Sequence, residues 1–364
     1  MKHSILISLV ASWGLTASAS NHATPKCRQV SGDILFNDQF QLYPSFFRWD
    51  DQRYVLYLRY AAPSRPAQPQ ANVTFLYSSI YNASIAVWDP YSSSLERIIS
   101  IPGITHSLDK RLSGTIIDPT NNVLSAVVEA ASFFTSAGND TKKINLTAVT
   151  KGQYGAFLDI DNGLDGDLYV NGAYPSSILH VDCEDKVSPF YVREPTTPPR
   201  SFGFGGVVRV GHDLIVSDNT NHELVKFAIH SGHHSPVVIP QTNYHNFSGG
   251  SSLSLPVRYG GKVMLMAEDV IDKNTSGVSV FSSKDSWKTA KFVGFIESID
   301  RKLYPASVAL SQTSAHELGE RIFSSVLFYD NKVNPTMGGN RTDFALRDIT
   351  DSVDSLLKAN GFHI

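Results

Sequence analysis

The densest set of chemistry-bearing residues lies between Phe328 and Asp343, where the chain reads FYDNKVNPTMGGNRTD. An apolar run, Ile322–Phe328, ends in Tyr329-Asp330-Asn331; a Pro/Gly loop follows, then Asn340, Arg341 and Asp343. A carboxylate and a guanidinium at the two ends of one loop can move a proton and hydrogen-bond a ligand oxygen. The same kind of position recurs upstream. Arg59-Tyr60, Glu129, Asn171, Asp218-Asn219 and Glu268-Asp269 each follow an apolar run such as LSAVV, DLYV, LIVS or VMLMA. Brought to one face, these positions form a polar ring; as a competing reading they are solvated turns, since Asn and Asp favour turns for their own reasons.

The elements that must position these residues repeat with a period near fifty. The units are 41–103, 104–150, 151–197, 198–241, 242–298 and 299–353, and each holds several short strands separated by turns. Multi-stranded repeats of that length point to an all-β, six-bladed β-propeller with its ligand site where the loops converge on the axis. A pair of β-sandwiches is the alternative, and the regularity of the repeat argues against it. A lone strand over 34–40 is expected to close the last blade, because an open sheet edge invites pairing. Residues 351–359, DSVDSLLKA, have a weakly helical pattern and are expected to cap one face.

The strands that open each unit offer small and aromatic residues. Ser113-Gly114, Gly205-Gly206, Gly249-Gly250 and Pro305-Ala306 contain no carboxylate, while Tyr154, Phe157, Phe204 and Tyr304 supply candidate apolar walls. Walls of this kind with a few charged groups suit a hydrophobic ligand with one polar end. Arg111 and Arg341 are the candidate donors to that end, with Asp330 or Glu129 as the acid. Asn171, Asp218 and Glu268 are candidate rim contacts. No GxSxG, HExxH or phosphate-loop motif is present, and no cofactor or metal is expected. A calcium-dependent lactonase is a minor reading, weakened by the carboxylate-free strand openings.

The chain has 364 residues, a net charge of −3 and 18% charged residues. That is globular material with no basic surplus for nucleic acid or an anionic membrane. Residues 1–19 read as a secretory signal: Lys2 and His3, an apolar run over 5–15, then Ala17-Ser18-Ala19. The run is too short to span a membrane. Residues 20–364 would then be one propeller domain in the secretory pathway, secreted or in a vesicular or vacuolar lumen. Seven N-x-[ST] sequons, at Asn72, Asn82, Asn139, Asn145, Asn246, Asn274 and Asn340, point to a glycoprotein. Cys27 and Cys183 are the two cysteines of the sequence, and an oxidising compartment favours one disulfide between them.

Several stretches carry a resemblance to a known family. They are Leu112-Ser113-Gly114 with Asp118-Pro119, the run 127–134, the strand 166–170, SKDSWKTA at 283–290, and above all FYDNKVNPTMGGNRTDF. In these the chain resembles a fungal secreted six-bladed propeller family. Its members include the propeller proteins of trichothecene clusters, a lipid-binding allergen of a skin yeast and the hetero-Diels–Alderases of tropolonic sesquiterpenoid clusters. The resemblance implies an axial pocket for a hydrophobic small molecule such as a terpenoid, tropolone or lipid. In the Diels–Alderase form, a tropolone or phenol alcohol loses water to a quinone methide, which adds across an alkene of a humulene-type terpene. The alternative it implies is a non-catalytic lipid- or terpenoid-binding propeller.

Overall fold

In the computed structural model the described residues are 5–10, 30–37, 46–50, 55–60, 83–90, 93–105, 112–118, 123–128, 132–137, 140–151, 153, 155–164, 166–195, 203–230, 234–247, 249–270, 274–307, 309–330, 332 and 341–363. They fold as an all-β propeller, with six sheets of four or five strands following one another along the chain, antiparallel throughout except where the short outer strand Gln241–Thr242 pairs parallel with Ala290–Glu297. The innermost strands are Phe46–Asp50, Leu112–Asp118, Gly155–Asn162, Phe204–Val210, Gly250–Ser254 and Ala309–Leu318. Each touches the next, and the last touches the first, so they form a closed ring about an axis.

The second strands, such as Val123–Val128 and Asp213–Asp218, are buried on both faces. That is why they read as continuous apolar runs rather than alternating ones. Burial is partitioned by the ring: each gap between adjacent sheets holds its own apolar cluster. Turn chemistry agrees with this layout. Gly211 and Gly319 take φ of +59° and +60° at the first position of two-residue hairpin loops, where the primed turns that match strand twist require glycine.

Ring closure comes from the N-terminal side. Ile34–Asn37 pairs antiparallel with Asp343–Asp348, Ile34 opposite Leu346, as the outer strand of the last sheet. Asp33 locks it, accepting from Arg347 Nη1 at 2.6 Å and from the Asp348 backbone N–H at 3.1 Å. Arg347 also grips Asp300 at 2.8 and 2.6 Å. Cys183 is exposed; Cys27, its expected partner, lies outside the described residues. The expected C-terminal helix spans Thr350–Ala359 and packs Val353 and Leu357 against the last two sheets. Ile5–Val10 lies against Val123–Val128, whose two edges are already taken by its own hairpin neighbours.

The innermost strands expose an unpaired backbone edge to the axis, and side chains of the preceding sheet satisfy much of it. Arg48 Nε donates to Thr115 O (2.7 Å) and Ser113 Oγ to Phe157 O (2.8 Å). Asn171 Nδ2 donates to Gly205 O (2.8 Å). Asn219 bonds both the N–H and the carbonyl of Gly250, at 2.9 and 2.8 Å. Asp269 accepts from the Gln312 N–H (2.8 Å), and Ser254 Oγ donates to Ala315 O (2.5 Å). Asn162 and Arg209 reach backwards instead, to Ile117 O and Asn162 O.

Candidate functional site

At one end of the ring, the aligned polar positions Asn171, Asp218, Glu268 and Asp330 lie on or just after the second strands of their sheets and are bonded to other side chains and to the backbone. Asp218 is fully buried and clasped by Arg193 at 3.1 and 2.5 Å, with Asn221 Nδ2 at 3.1 Å. Glu268, also fully buried, holds His245 Nε2 at 2.7 Å and the Ser279 hydroxyl at 2.5 Å. Asp330 is paired twice with Arg341, at 2.7 and 3.2 Å. Asn171 accepts from the Asp159 N–H at 2.8 Å while donating to Gly205. Three carboxylates of the rim thus each have a base beside them, and buried charges require such partners. At this end two ion pairs, Arg193–Asp218 and Arg341–Asp330, and the His245–Glu268 hydrogen bond hold the rim carboxylates, while the second carboxylate oxygen of Glu268 is buried without a hydrogen-bond partner among the described residues.

Arg341 is held further. Its guanidinium lies 4.3 Å from the Tyr304 ring centroid and 4.0 Å from that of Phe328, and it donates to Ser307 Oγ at 2.9 Å. The structure therefore unites Asp330, Arg341 and Tyr304 in one cluster beside the start of the last strand, Asp343–Asp348. Phe157 and Phe204 are fully buried in the apolar layers between sheets and are not among the residues lining the cavity at the other end of the axis. The glycines read as a small-residue floor have another reason: a Cβ on Gly205 would lie 1.7 Å from Gly250 O, so these positions let inner strands approach closely. Arg111, Glu129 and Tyr154 lie outside the described residues, as do Asn72, Asn82, Asn139 and Asn340; Asn145, Asn246 and Asn274 are exposed.

The opposite end of the axis holds a cavity of about 980 Å³. Every inner strand contributes to it: Arg48, Ile116 and Ile117, Asp161, Val208, Leu253 and Ser254, and His316 with Glu317. Pro256 and Val257 extend the wall, and Thr350, Asp351 and Asp354 of the C-terminal helix form part of the mouth. The apolar wall is the expected one, but it comes from aliphatic residues in the second half of each inner strand.

The polar floor of this cavity is a largely buried cluster of Arg48, His316 and Asp161. Arg48 Nη1 sits 2.5 Å from the ring nitrogens of His316, which stacks edge-on to Phe47 at 5.4 Å. Burial, then the Arg48 charge, hold His316 well below the usual imidazole range, so it is a neutral acceptor for the guanidinium. Asp161 is fixed by the Arg209 and Asn162 N–H groups at 2.5 and 2.8 Å, and burial raises its pKa. Asp159, beneath it, accepts from Ile160 and Val207 N–H groups at 3.0 and 3.2 Å; burial pushes it up to about 7, against the opposing pull of Arg48. Neutral imidazole, guanidinium and two carboxyls of raised pKa can polarise a bound carbonyl and shuttle a proton.

These four residues were not singled out from the sequence, although a signal exists. Each interrupts an inner strand with charge, as FFRWD, FLDIDN and SAHEL, and Asp159 and Asp161 share a strand face by their spacing of two. The strand openings do lack carboxylates; the acids sit further along.

Comparison with known proteins decides the family. The chain is 33% identical over 376 aligned positions to trichothecene biosynthesis protein 14 of Trichoderma arundinaceum, covering 96% of this chain and 95% of that one. It belongs to the trichothecene cluster protein 14 family. A second member, the core trichothecene cluster protein 14 of Fusarium sporotrichioides, is 32% identical over 351 positions, covering 90% and 87% of the two chains. No protein-family model matches the chain. Among solved structures, a putative gluconolactonase aligns with a TM-score of 0.50 at 10% identity, over 88% of this chain and 93% of that one. A calcium-binding protein, regucalcin, from Agrobacterium tumefaciens aligns at 0.50 and 11% identity, over 87% and 94%. At such identities the likeness is one of fold. Among the described residues no group of three or more His, Cys, Asp or Glu side chains is placed to hold a metal ion, and no helix is long and apolar enough to cross a membrane.

Proposed function

We propose that this chain acts in secondary metabolism by binding an oxygenated, largely apolar terpenoid intermediate in the axial cavity and promoting a ring-forming step there. Six sheets read as six blades give that cavity its walls. The observation that carries the reading is the Arg48–His316 pair beside Asp161 at the floor of a pocket whose inner walls include Ile116, Ile117, Val208 and Leu253. The trichothecene cluster relatives support the pathway class.

The specific reaction we propose is the hetero-Diels–Alder addition. A tropolone or phenol alcohol would lose water as the protonated form of Asp161, which burial favours, gives its proton to the leaving hydroxyl, and the carboxylate so formed then takes the phenolic proton. Arg48 would hydrogen-bond the resulting carbonyl and lower the acceptor orbital of the quinone methide. Aliphatic walls would hold the humulene-type alkene against it and keep water away. Arg48 and Asp161 thus take the roles that the sequence pattern suggests for Arg341 or Arg111 and for Asp330 or Glu129.

A non-catalytic terpenoid- or lipid-binding role is the second reading. It is favoured by the paired state of Asp218 and Asp330, each held by an arginine, which leaves these two described rim carboxylates less available for chemistry. Incubating the purified protein with a tropolone alcohol and humulene separates the two. Catalysis requires product above the protein-free rate, with fixed stereochemistry, and a loss of roughly a hundredfold in Arg48→Met. Product identical to the protein-free control in rate and stereochemistry sinks the catalytic reading, and a binding titration with the terpene then decides the second.

For the secretory reading, the support is the leader-like sequence at 1–19, a second sheet complete without Ile5–Val10, and the exposed sequons Asn145, Asn246 and Asn274. N-terminal sequencing and an endoglycosidase mobility shift of the protein from its native host test it.

A further inference from the structure

The proposed ligand cavity carries an electrostatic signature that narrows its ligand class, and the selectivity inferred from that signature rests on the cavity being the ligand site. Arg48 by itself would favour a carboxylate, the commonest partner of a guanidinium. Its charge, however, is already answered. Asp159 and Asp161 are charges that act on it, and both side chains are held in place by backbone N–H groups. Higher in the cavity, Arg258 is paired with Asp354 at 3.0 Å and Arg321 with Asp351 at 3.3 Å. Glu317, which takes the N–H groups of Val257 and Arg258, adds another negative wall group. Among the described lining residues, five carboxylates stand against three guanidiniums. An anionic ligand end would enter a partly dry site whose positive charges are all matched, and would lose its own hydration as well.

We propose that the axial cavity accepts uncharged, oxygen-bearing ligands and rejects their carboxylate counterparts, and that Asp161 sets this selectivity. A ketone, alcohol, ether or epoxide oxygen accepts a hydrogen bond from a donor at the floor without adding charge. A carboxylate of the same skeleton meets Asp161 first. Terpenoids oxidised to the alcohol or carbonyl level fit the site; those carried on to the acid do not.

The test uses a matched pair on one C15 skeleton: farnesoic acid and its methyl ester. Binding to the full-length protein is followed by equilibrium dialysis at pH 8, where the ligand acid and Asp159 are both ionised. The ester is expected to bind at least tenfold more tightly than the acid. Any apolar pocket prefers an ester to some degree, so Asp161→Asn supplies the decisive comparison. It should shrink the ester/acid ratio to about threefold or less, chiefly by tightening the acid. A wild-type ratio near one, or a ratio that Asp161→Asn leaves unchanged, overturns the proposal. If Asp161→Asn does not fold, Glu317→Gln makes the same comparison and should lower the ratio by a smaller factor; no change there overturns it too. Failure of both probes to bind the wild-type protein would instead refute the cavity as a terpenoid site, and this inference with it.

Discussion

Gly205→Ala probes the close approach of inner strands at the axis. Its added Cβ would lie 1.7 Å from Gly250 O and 2.7 Å from Asn219 Nδ2, whereas Cβ contacts below 3.0 Å are essentially never adopted. The fourth and fifth inner strands must therefore separate by about 1.3 Å, the difference between those two distances. Overpacking of this kind costs roughly 1–3 kcal/mol. The separation also strains both Asn219–Gly250 bonds, now 2.8 and 2.9 Å, each worth about 1 kcal/mol. Together the loss is about 3–5 kcal/mol, a large part of an ordinary domain's stability. For a chain of 364 residues, unfolding entropy scales to a fall in Tm of roughly 4–6 °C. Gly211→Ala is the control, since its Cβ meets nothing within 4 Å and only its φ of +59° is strained. That strain costs about 1–2 kcal/mol, or roughly 1–3 °C. Thermal melts of the three proteins at one scan rate suffice. If Gly205→Ala melts no lower than Gly211→Ala, the inner strands are not packed through these glycines and the account of the axis is wrong.

Other perturbations have equally definite outcomes. Arg347→Met leaves Asp300 buried without its cation and should cost about 3–5 kcal/mol in chemical denaturation, with faster proteolytic cutting before Ile34. Phe204→Ala should destabilise by about 3–5 kcal/mol yet leave ligand affinity of the folded fraction unchanged, because the ring packs between sheets and not in the cavity. Asp159 binds its proton up to about pH 7 when folded but only to about 3.8 when unfolded, so it makes stability fall as pH rises between those values. Asp159→Asn should therefore flatten that part of the stability–pH curve; a steeper decline would show the sign to be wrong. His316 acts oppositely, its depressed pKa removing stability as pH falls below about 6.5, and His316→Gln should abolish that acid-side loss.

Strands and repeat were legible in the chain because runs such as LSAVV and VMLMA, buried on both faces, are too short for a buried helix and are bounded by turn residues. The closing segment was legible because Ile34–Asn37 is a lone strand with no partner of its own in sequence. The weak helical pattern of DSVDSLLKA was enough to place a helix, since Val353 and Leu357 share one face. What the rim residues do was not legible. Asp218 and Glu268 look alike whether they meet a ligand or a neighbour, and their partners Arg193 and His245 lie 25 and 23 residues away in the chain. Phe157 and Phe204 failed as pocket residues for a related reason. Aromatic residues at strand openings suit an interblade layer as well as a cavity, and only the three-dimensional register separates the two. The true floor was missed because Arg48, Asp161 and His316 come from three distant units, and no spacing rule joins them.

The inter-sheet bonds also have a direction in time. In most of them the side chain belongs to the earlier sheet and the backbone to the later one, as with Asn171 and Gly205 or Asn219 and Gly250. During synthesis the reader is thus made before the strand it reads. Each new inner strand emerges to find its hydrogen-bonding partners already waiting, and the ring can grow one sheet at a time with its leading edge capped on arrival. The N-terminal segments are the exception: Arg48 of the first sheet waits for His316, and Asp33 beside the closing strand waits for Arg347, until nearly the whole chain has been made. Closure is thereby deferred to the last act of translation, and a nascent chain released early would expose an open edge at that one junction.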